Sequence, residues 1–344
     1  MTTAYYGLGL RKRPPVSARQ LAPDVGERFA GMRANAERLV QEPFKGVTTD
    51  GNIVAGLYPL ARTGVSTEPI RRAALDFLRE LDEEQRQRAM FAVDSDAWRR
   101  WWNIHPFLVR HGVLLEQLTD QQRQAALWLV EQTLSASGFR TARDIMRLNH
   151  TIGEITGSWT EYGEWVYFVS LFGEPSEHEP WGWQIDGHHL IVNCFVIGDQ
   201  VVITPLFMGS EPVVAETGIY AGTSVLQIEQ NQGLEFINSF NADQRRKAIL
   251  YDSIFSDVLP PERGLGSDGR VQTAAFRDNM QVPYEGIRAD SLTAGQREQL
   301  LQLAALYTDR LRQDHAELWL RTIRQHLDET HFMWMGGTGQ EDVF

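Results

Sequence analysis

Residues 180–190 read Pro-Trp-Gly-Trp-Gln-Ile-Asp-Gly-His-His-Leu, and they lead directly into Leu190–Ile197, a run of apolar and β-branched residues. Such a run is typical of a β-strand that is covered on both faces. We expect Trp181–Asp186 to form a strand as well. The stretch therefore predicts a β-sheet in the middle of the chain.

A two-residue turn signal, Gly198-Asp199, follows this strand and leads into Gln200–Thr204. Two strand-like runs joined in this way predict a β-hairpin. Pro205 is expected to end the second arm, because proline cannot continue a central hydrogen-bonded ladder. Glu164–Gly173, rich in aromatic and β-branched residues, predicts one more strand.

Helical patterns occupy the chain on both sides of the strands. The predicted helices cover residues 20–42, 67–80, 83–93, 119–136 and 138–152 before the strands, and 222–238, 241–253 and 293–328 after them, the last as one long helix or two joined. We expect a surface loop over 260–283 and a short strand from His331 to Gly337. This order indicates an α+β fold, with helices packed on a central, mainly antiparallel sheet.

Four of these helices begin with the same pattern: a capping residue, then a glutamine three positions on, then an arginine. The pairs are Asp82 and Gln85, Thr119 and Gln122, Asn241 and Gln244, and Thr293 and Gln296. In a capping box the cap side chain and the glutamine each satisfy a free N–H. A helical repeat array would need a fixed period, so the irregular spacing favours four capped helices in one domain.

We expect a single domain over residues 1–344. Its parts are a flexible arm (1–20), a helical part (21–160), a β-core (161–215) and further helices with a closing strand (216–344). The length would suit one large domain or two ordinary ones.

The composition is that of a globular protein, with 42% apolar and 23% charged residues. A net charge of −12 argues against a nucleic-acid or anionic-membrane surface, and no run is long and apolar enough for a membrane span. The first residues lack the apolar core of a signal peptide, and the one cysteine, Cys194, cannot form an intrachain disulfide. We therefore expect a soluble cytoplasmic protein that acts on a small molecule.

His188 and His189 are the best candidates for chemistry, because histidine binds transition metals and transfers protons near neutral pH. If residues 188–197 form one strand, successive side chains point to opposite faces. The two imidazoles then cannot reach one metal ion unless Gly187 permits a bend or bulge. His189 shares its face with Asn193 and is the better candidate for a polar cleft.

Neighbouring residues would complete such a site. Asp186 is predicted to orient an imidazole. Trp181 and Trp183 are predicted to wall a pocket, with Asn193 and Glu211 as further ligand-binding residues. A zinc, copper or iron ion needs three or four N, O or S ligands, and beside the two histidines the candidates are Asp186, Glu154, Glu161, Glu211 and His331.

The preferred function is a hydrolase, in which His188 and His189 act as metal ligands or as acid–base groups. A bound metal would acidify water, which would attack an ester or amide-like bond. The alternatives are a non-catalytic small-ligand-binding module with an aromatic cleft, and a copper or iron oxidoreductase. No glycine-rich dinucleotide motif or P-loop is present, which weighs against nucleotide-dependent chemistry.

A series of short motifs runs through the chain. They are Phe172-Gly-Glu-Pro-Ser176, Pro180-Trp-Gly-Trp183, Gly187-His-His-Leu190, Thr204-Pro-Leu-Phe207 and Phe332-Met-Trp-Met-Gly-Gly337. Together with the Gln-Arg helix starts, they resemble the domain-of-unknown-function 3500 family from about residue 30 to the last residue. The family has no established general activity, so the resemblance implies a shared fold and not a reaction.

Two departures from the family pattern bear on the site. Family members usually have asparagine one residue before the Pro212 position, where this chain has Glu211. They also continue past the closing Trp-x-Gly-Gly element with further strands and an Asn-His-x-His segment. We therefore expect the chain to be cut short at Phe344 and to carry half of any site that uses those later histidines.

Overall fold

The computed structural model describes residues 27–104, 111–255, 259–260 and 275–344. Their contacts divide the chain into two compact units, where the sequence predicts one domain. Unit 1 comprises the chain up to Glu42 together with Leu60–Leu226, and unit 2 comprises Pro43–Pro59 and Gln227–Phe344. Among the described residues, no helix has the length and apolar character needed to cross a membrane.

The helices of unit 1 have boundaries set by local chemistry. They are α1 (Glu27–Val40), α2 (Glu68–Glu80), α3 (Glu83–Ala89), α4 (Asp120–Thr133) and α5 (Ala136–Thr156). A proline opens α2, since the first helical turn does not need its N–H groups. Gly157 ends α5 with a left-handed φ of 73°, a conformation common at helix C-termini.

A six-stranded sheet forms the centre of unit 1. Its strands are β1 (Met90–Phe91), β2 (Val113–Leu114), β3 (Tyr167–Phe172), β4 (Trp181–Gly187), β5 (Leu190–Ile197) and β6 (Gln200–Met208). Their order is β1-β3-β4-β5-β6, with β2 also paired to β3. The β1–β3 pair is parallel and the other four pairs are antiparallel, which confirms the predicted mainly antiparallel sheet.

The middle strands of this sheet form the core of unit 1. Every residue of β3 and β4 is buried, and Trp181 and Trp183 are the largest of the fully buried side chains. β5 is also buried along most of its length, although Phe195 near its end is exposed. Strands covered on both faces explain the almost continuous apolar runs in the sequence.

The prediction that Pro205 ends the hairpin is wrong, because β6 continues to Met208. The register shifts between Val192 and Cys194, where one residue of β5 faces two residues of β6. A bulge and an edge position both tolerate proline, because its missing N–H interrupts no ladder bond there. β6 is the last strand of the sheet order, so Pro205 meets both conditions.

Unit 2 contains α6 (Gln227–Asn238), α7 (Ala242–Ala248), β7 (Ile249–Tyr251), β8 (Ile287–Arg288), α8 (Ala294–Thr308), α9 (Gln313–Gln325), β9 (His331–Phe332) and β10 (Trp334–Met335). β7 pairs in parallel with β10, and β8 pairs antiparallel to β9. Phe236, Phe240 and Phe332 pack edge to face in its core. Such aromatic pairs stabilise a core by more than the burial of their apolar area alone would.

The α+β class is confirmed. The stretch 293–328 is two helices, one of the two predicted forms, and the predicted closing strand from His331 to Gly337 is two short strands. The predicted helix 83–93 ends at Ala89, 241–253 ends at Ala248, and 222–238 begins at Gln227. In the first two cases a short strand replaces the last residues. The predicted arm over 1–20 and most of the predicted loop over 260–283 lie outside the described residues.

All four predicted cap pairs form complete capping boxes. The glutamines of the two boxes in unit 1 also bond to each other. The side-chain amide of Gln122 donates to Gln85 Oε1 at 2.7 Å and to the carbonyl oxygen of Glu80 at 2.8 Å. One buried glutamine therefore joins the start of α4 to the end of α2 and the start of α3.

Unit 2 repeats this arrangement. The side-chain amide of Gln296 donates to Gln244 Oε1 and to the carbonyl oxygen of Ser239, both at 3.0 Å. Ser239 stands two residues before its cap, Asn241, as Glu80 stands two residues before Asp82. In each unit two short strands lie between the two capped helices. The first pairs in parallel, β1 with β3 and β7 with β10, and the second pairs antiparallel, β2 with β3 and β8 with β9. The four predicted caps are thus two copies of one pair.

We expect Gln122→Ala to lower the free energy of unfolding by about 1–3 kcal/mol, because it removes the bonds of the amide to Gln85 and Glu80 and the capping bond to Thr119 N–H. Urea denaturation of the full chain measures this change. Gln121→Ala is the matched control: Gln121 is exposed on the same helix, so its replacement should change stability by less than about 0.5 kcal/mol. Equal losses in the two variants would contradict a role for the glutamine pair.

Candidate metal centre

The histidine pair occupies the turn between β4 and β5. Gly187 pairs with Leu190 in the ladder, so His188 and His189 are the two residues of a tight hairpin loop. The strand begins at Leu190, as the apolar run predicts, so the supposition of a strand from residue 188 does not hold and the alternation of side chains does not apply to the pair. His189 has a left-handed φ of 59°, which is uncommon for a residue with a side chain.

This turn brings the two imidazoles together. Their ring centroids lie 4.0 Å apart, with 55° between the ring planes. Glu211, three residues after β6, completes a cluster in which one ligand atom from each of the three residues lies within 4.8 Å of the others. His188 is buried, His189 is half-buried and Glu211 is exposed, so the cluster reaches from the core to the surface.

The position of His188 is fixed by Asn149, a buried residue of α5. Asn149 Nδ2 donates to the carbonyl oxygen of Gly163 at 2.8 Å. Its Oδ1 is therefore an acceptor, and the Nδ1–H of His188 donates to it at 2.9 Å. The neutral imidazole then carries its lone pair on Nε2. The Tyr167 hydroxyl donates to the carbonyl oxygen of His188 at 2.9 Å, which holds the backbone as well.

Backbone contacts hold His189. Its N–H donates to the carbonyl oxygen of Asn103 at 2.8 Å, and its own carbonyl oxygen accepts the N–H of Gly209 at 2.9 Å. Both bonds are made while the residue keeps its uncommon φ, so its surroundings stabilise this conformation. The side chain of Phe207 stacks on the imidazole at 6.2 Å between centroids.

The carboxylate of Glu211 faces His189. Glu211 Oε2 lies 3.9 Å from His189 Nε2. The neighbouring His189 side chain lowers the pKa of Glu211, which favours the ionised carboxylate. His189 Nδ1, on the other side of the ring, is buried, and none of the described residues bonds to it. His189 therefore turns Nε2 toward the carboxylate and toward solvent.

These three side chains can bind one transition metal ion. Ligands at about 2.0–2.2 Å from a zinc ion lie about 3–4 Å from one another, so small side-chain shifts would bring all three onto one ion. Two imidazoles and one carboxylate are nitrogen and oxygen donors that zinc, iron and copper accept. The arrangement leaves at least one coordination position for water or substrate.

Asp186 does not belong to this cluster. Its carboxylate accepts the backbone N–H of Trp102 at 3.3 and 3.4 Å. Complete burial raises the pKa of Asp186 well above its ordinary value, because a low-dielectric interior disfavours the charged form. The predicted orienting bond to an imidazole is made by Asn149, which sequence reasoning missed.

Trp181 and Trp183 lie in the core and not beside an open cleft. Their side chains are buried to 0% and 1% exposure, and the Trp181 indole N–H donates to the carbonyl oxygen of Ser176 at 3.0 Å. Stacking on a ligand needs an open ring face, which a fully buried indole does not have. The structure therefore gives these two residues a packing role under the hairpin.

Asn193 also lies away from the cluster, in a buried row of polar side chains across the sheet. Its Oδ1 accepts from Gln184 Nε2 at 2.6 Å. Gln184 Oε1 in turn accepts from His111 Nε2 at 2.7 Å. Burial lowers the pKa of His111 to about 4, so this imidazole is neutral at physiological pH. Asn193 thus belongs to a structural network.

The remaining candidate ligands have other surroundings. Glu154 lies beside His150, with 3.8 Å between Oε1 and Nε2. Glu161 lies in the turn after α5, where its N–H donates to the carbonyl oxygen of Ser158. His331 belongs to unit 2, where its ring stacks on Tyr284. Among the described residues, Glu211 is thus the one predicted carboxylate that joins both histidines in a cluster.

Comparison with known families agrees with the motifs. The model of the family described as "Protein of unknown function (DUF3500)" matches residues 63–344, most of the chain. The chain belongs to the DUF3500 family. No curated protein and no solved structure matches it. The DUF3500 match includes the strands, the turn with both histidines and Glu211, so the cluster lies within the family region.

We expect the stability of this DUF3500 chain to fall between pH 6.5 and 4 through His111. Its pKa is lowered to about 4 in the fold, so the unfolded chain binds the proton first as the pH falls. The free energy of unfolding should drop by up to about 1.4 kcal/mol per pH unit in this range. Urea denaturation at several pH values measures the slope.

His111→Gln should show a smaller slope, because its side chain does not titrate. His178→Gln is the matched control, since His178 is exposed and its replacement should leave the wild-type slope. A wild-type slope that persists in His111→Gln would contradict this source of pH dependence.

Proposed function

We propose that this chain binds a divalent transition metal through His188, His189 and Glu211 and uses it in hydrolysis. The convergence of three ligand atoms within 4.8 Å carries the proposal. Two histidines and one glutamate form a known set of catalytic zinc ligands, in which a fourth position is left for water. Glu211 supplies one negative charge, which would stabilise a bound cation.

The surroundings of His188 support its role as a ligand. Metal-binding histidines usually donate their second ring N–H to a carbonyl or carboxylate oxygen, which orients the ring. The bond from His188 Nδ1 to Asn149 Oδ1 has this form. It leaves Nε2 of His188 as the atom that would bind the metal. Asn149 is itself held by its hydrogen bond to the carbonyl oxygen of Gly163.

A metal at this position would act on water. A bound divalent ion lowers the pKa of a coordinated water toward 7, and the resulting hydroxide attacks an electrophilic centre. The substrate is then a small molecule with an ester or amide-like bond that reaches the surface side of the cluster. Glu211, as its exposed member, would be the ligand nearest to an arriving substrate.

A copper or iron oxidoreductase is the second candidate. Two histidines and one carboxylate are also the ligand set of the non-haem iron oxygenases, which keep open positions for oxygen and substrate. The same three residues support this function, so the identity of the metal separates the two candidates.

The first test measures the affinity and stoichiometry of Co²⁺ and Zn²⁺ binding to the full chain by isothermal titration calorimetry. Elemental analysis of the purified protein measures its metal content. We expect about one ion per chain in the wild type. His188→Ala and His189→Ala should abolish binding, and Glu211→Gln should weaken it by roughly 10- to 100-fold. His178→Ala, at an exposed histidine between two glutamates, is the matched control and should bind as the wild type does.

Metal affinity equal to that of the wild type in both histidine variants would contradict the metal proposal. If binding depends on the cluster, two assays of the loaded protein separate the reactions. Hydrolysis of chromogenic carboxylic and phosphoric esters by the Zn²⁺ form supports the hydrolase. Oxygen consumption by the Fe²⁺ form without ester hydrolysis supports the oxidoreductase. Metal binding with neither activity supports a non-catalytic binding module.

A further inference from the structure

Glu211 stands in a segment that folds back on itself. We call residues 209–225 the Glu211 loop; it follows β6. Ala215 N–H donates to the Thr223 carbonyl oxygen at 2.9 Å, and Val225 N–H donates to the Val213 carbonyl oxygen at 3.0 Å. The two arms of the loop are therefore bonded to each other, and Gly218–Tyr220 form its tip.

The tip packs against α5. Gly218 has a left-handed φ of 90°, and a Cβ atom at this residue would lie 2.1 Å from Glu154 Oε2. A side chain at this position would displace the Glu154 carboxylate and would have to adopt the left-handed φ, so the glycine permits the close approach. Burial raises the pKa of Glu154, and the adjacent backbone N–H of Ile219 opposes this rise. The Glu154 side chain therefore packs against the backbone of the loop tip.

Tyr220 forms a second anchor of the tip. Its hydroxyl donates a hydrogen bond to Glu164 Oε2. Glu164 Oε1 accepts from Arg143 Nη2 at 2.6 Å, and both side chains are mostly buried, at 11% and 14% exposure. The edge of the tyrosine ring also packs on His150, with 5.5 Å between centroids. Charge-assisted bonds in such surroundings are stronger than those at the surface.

One helix thus carries both sides of the candidate metal centre. Asn149 of α5 bonds His188, and Glu154, five positions further along the same helix, contacts the loop that bears Glu211. An α-helix is a stiff element with a fixed rise per residue. α5 therefore holds His188 and the loop tip in fixed positions relative to each other.

We propose that Tyr220 and Glu154 are positioning residues that hold the Glu211 loop so that its carboxylate meets the two histidines. This inference rests on the proposed metal site and extends it to residues outside the cluster of His188, His189 and Glu211. Glu211 is exposed, with 62% of its side chain accessible, and gains little order from its own packing. A loop with its tip released would sample many conformations, and metal binding would then have to order it again.

A simpler possibility is that the two anchors only stabilise unit 1. A double-mutant cycle separates the two roles, because positioning acts through Glu211 and general stability does not. The cycle uses Tyr220→Phe and Glu211→Gln, singly and together, in the full chain. Tyr58→Phe is the matched control, since Tyr58 is 84% exposed.

In the wild-type background we expect Tyr220→Phe to weaken Co²⁺ binding roughly tenfold, as replacements of supporting residues around metal ligands commonly do. In the Glu211→Gln background the same change should alter the affinity less than about twofold. Tyr58→Phe should have no effect in either. A tenfold loss in both backgrounds, or in neither, would overturn the inference.

Glu154 offers an independent check by conservative rescue. Glu154→Gln keeps the size and shape of the side chain that contacts the loop tip, so it should retain Co²⁺ affinity within about twofold. Glu154→Ala removes the contact and should weaken binding roughly tenfold. Equal effects of the two replacements would show that the contact with the loop tip does not position Glu211.

Amide hydrogen exchange of the metal-free chain distinguishes failure of this inference from failure of the proposed function. Tyr220→Phe should speed exchange over residues 211–224 and leave α8 unchanged. A wild-type chain that binds no Co²⁺ contradicts the metal site and the role of Glu211 as a ligand. Unchanged exchange contradicts the anchoring of the loop, whether or not metal binds.

Discussion

The two-residue turn between β4 and β5 is the constraint on which the candidate site depends. Gly187 and Leu190 pair in the ladder, so the chain has only His188 and His189 with which to reverse direction. A strand would separate the two side chains onto opposite faces, whereas the turn presents both on one end of the sheet. The left-handed φ of His189 costs of order 1–3 kcal/mol and is offset by bonds to both of its backbone groups.

The sheet and α5 then determine what meets this turn. β6 returns alongside β5 and delivers the Glu211 loop to the same end, since Leu190 pairs with Met208. α5 lies behind and supplies Asn149, while Tyr167 of β3 bonds the backbone between the histidines. Buried polar groups need partners, and here those partners come from different elements. The site is thus specified by tertiary packing around a locally determined turn.

The sequence predicts those structural features that depend on residues close together along the chain. Cap pairs such as Thr119 and Gln122 were found because their bonds span three residues, and β5 because its apolar run is continuous. Asn149 was missed because it lies 39 residues from His188, and an asparagine within a helix gives no local signal. The sequence does not separate the two roles of Trp181 and Trp183, because an aromatic pair looks the same in sequence whether it packs in a core or lines a cleft.

The repeated glutamine pairs bear on how the chain evolved. Two units with the same order of capped helices and strand pairs, and with matching bonds from Gln122 to Glu80 and from Gln296 to Ser239, are what tandem duplication of one ancestral module leaves. The capping boxes and glutamine bonds that the two units share serve folding in both. Selection for chemistry is to be sought where the copies have diverged, and aligning one half of the chain on the other identifies those positions without any second protein.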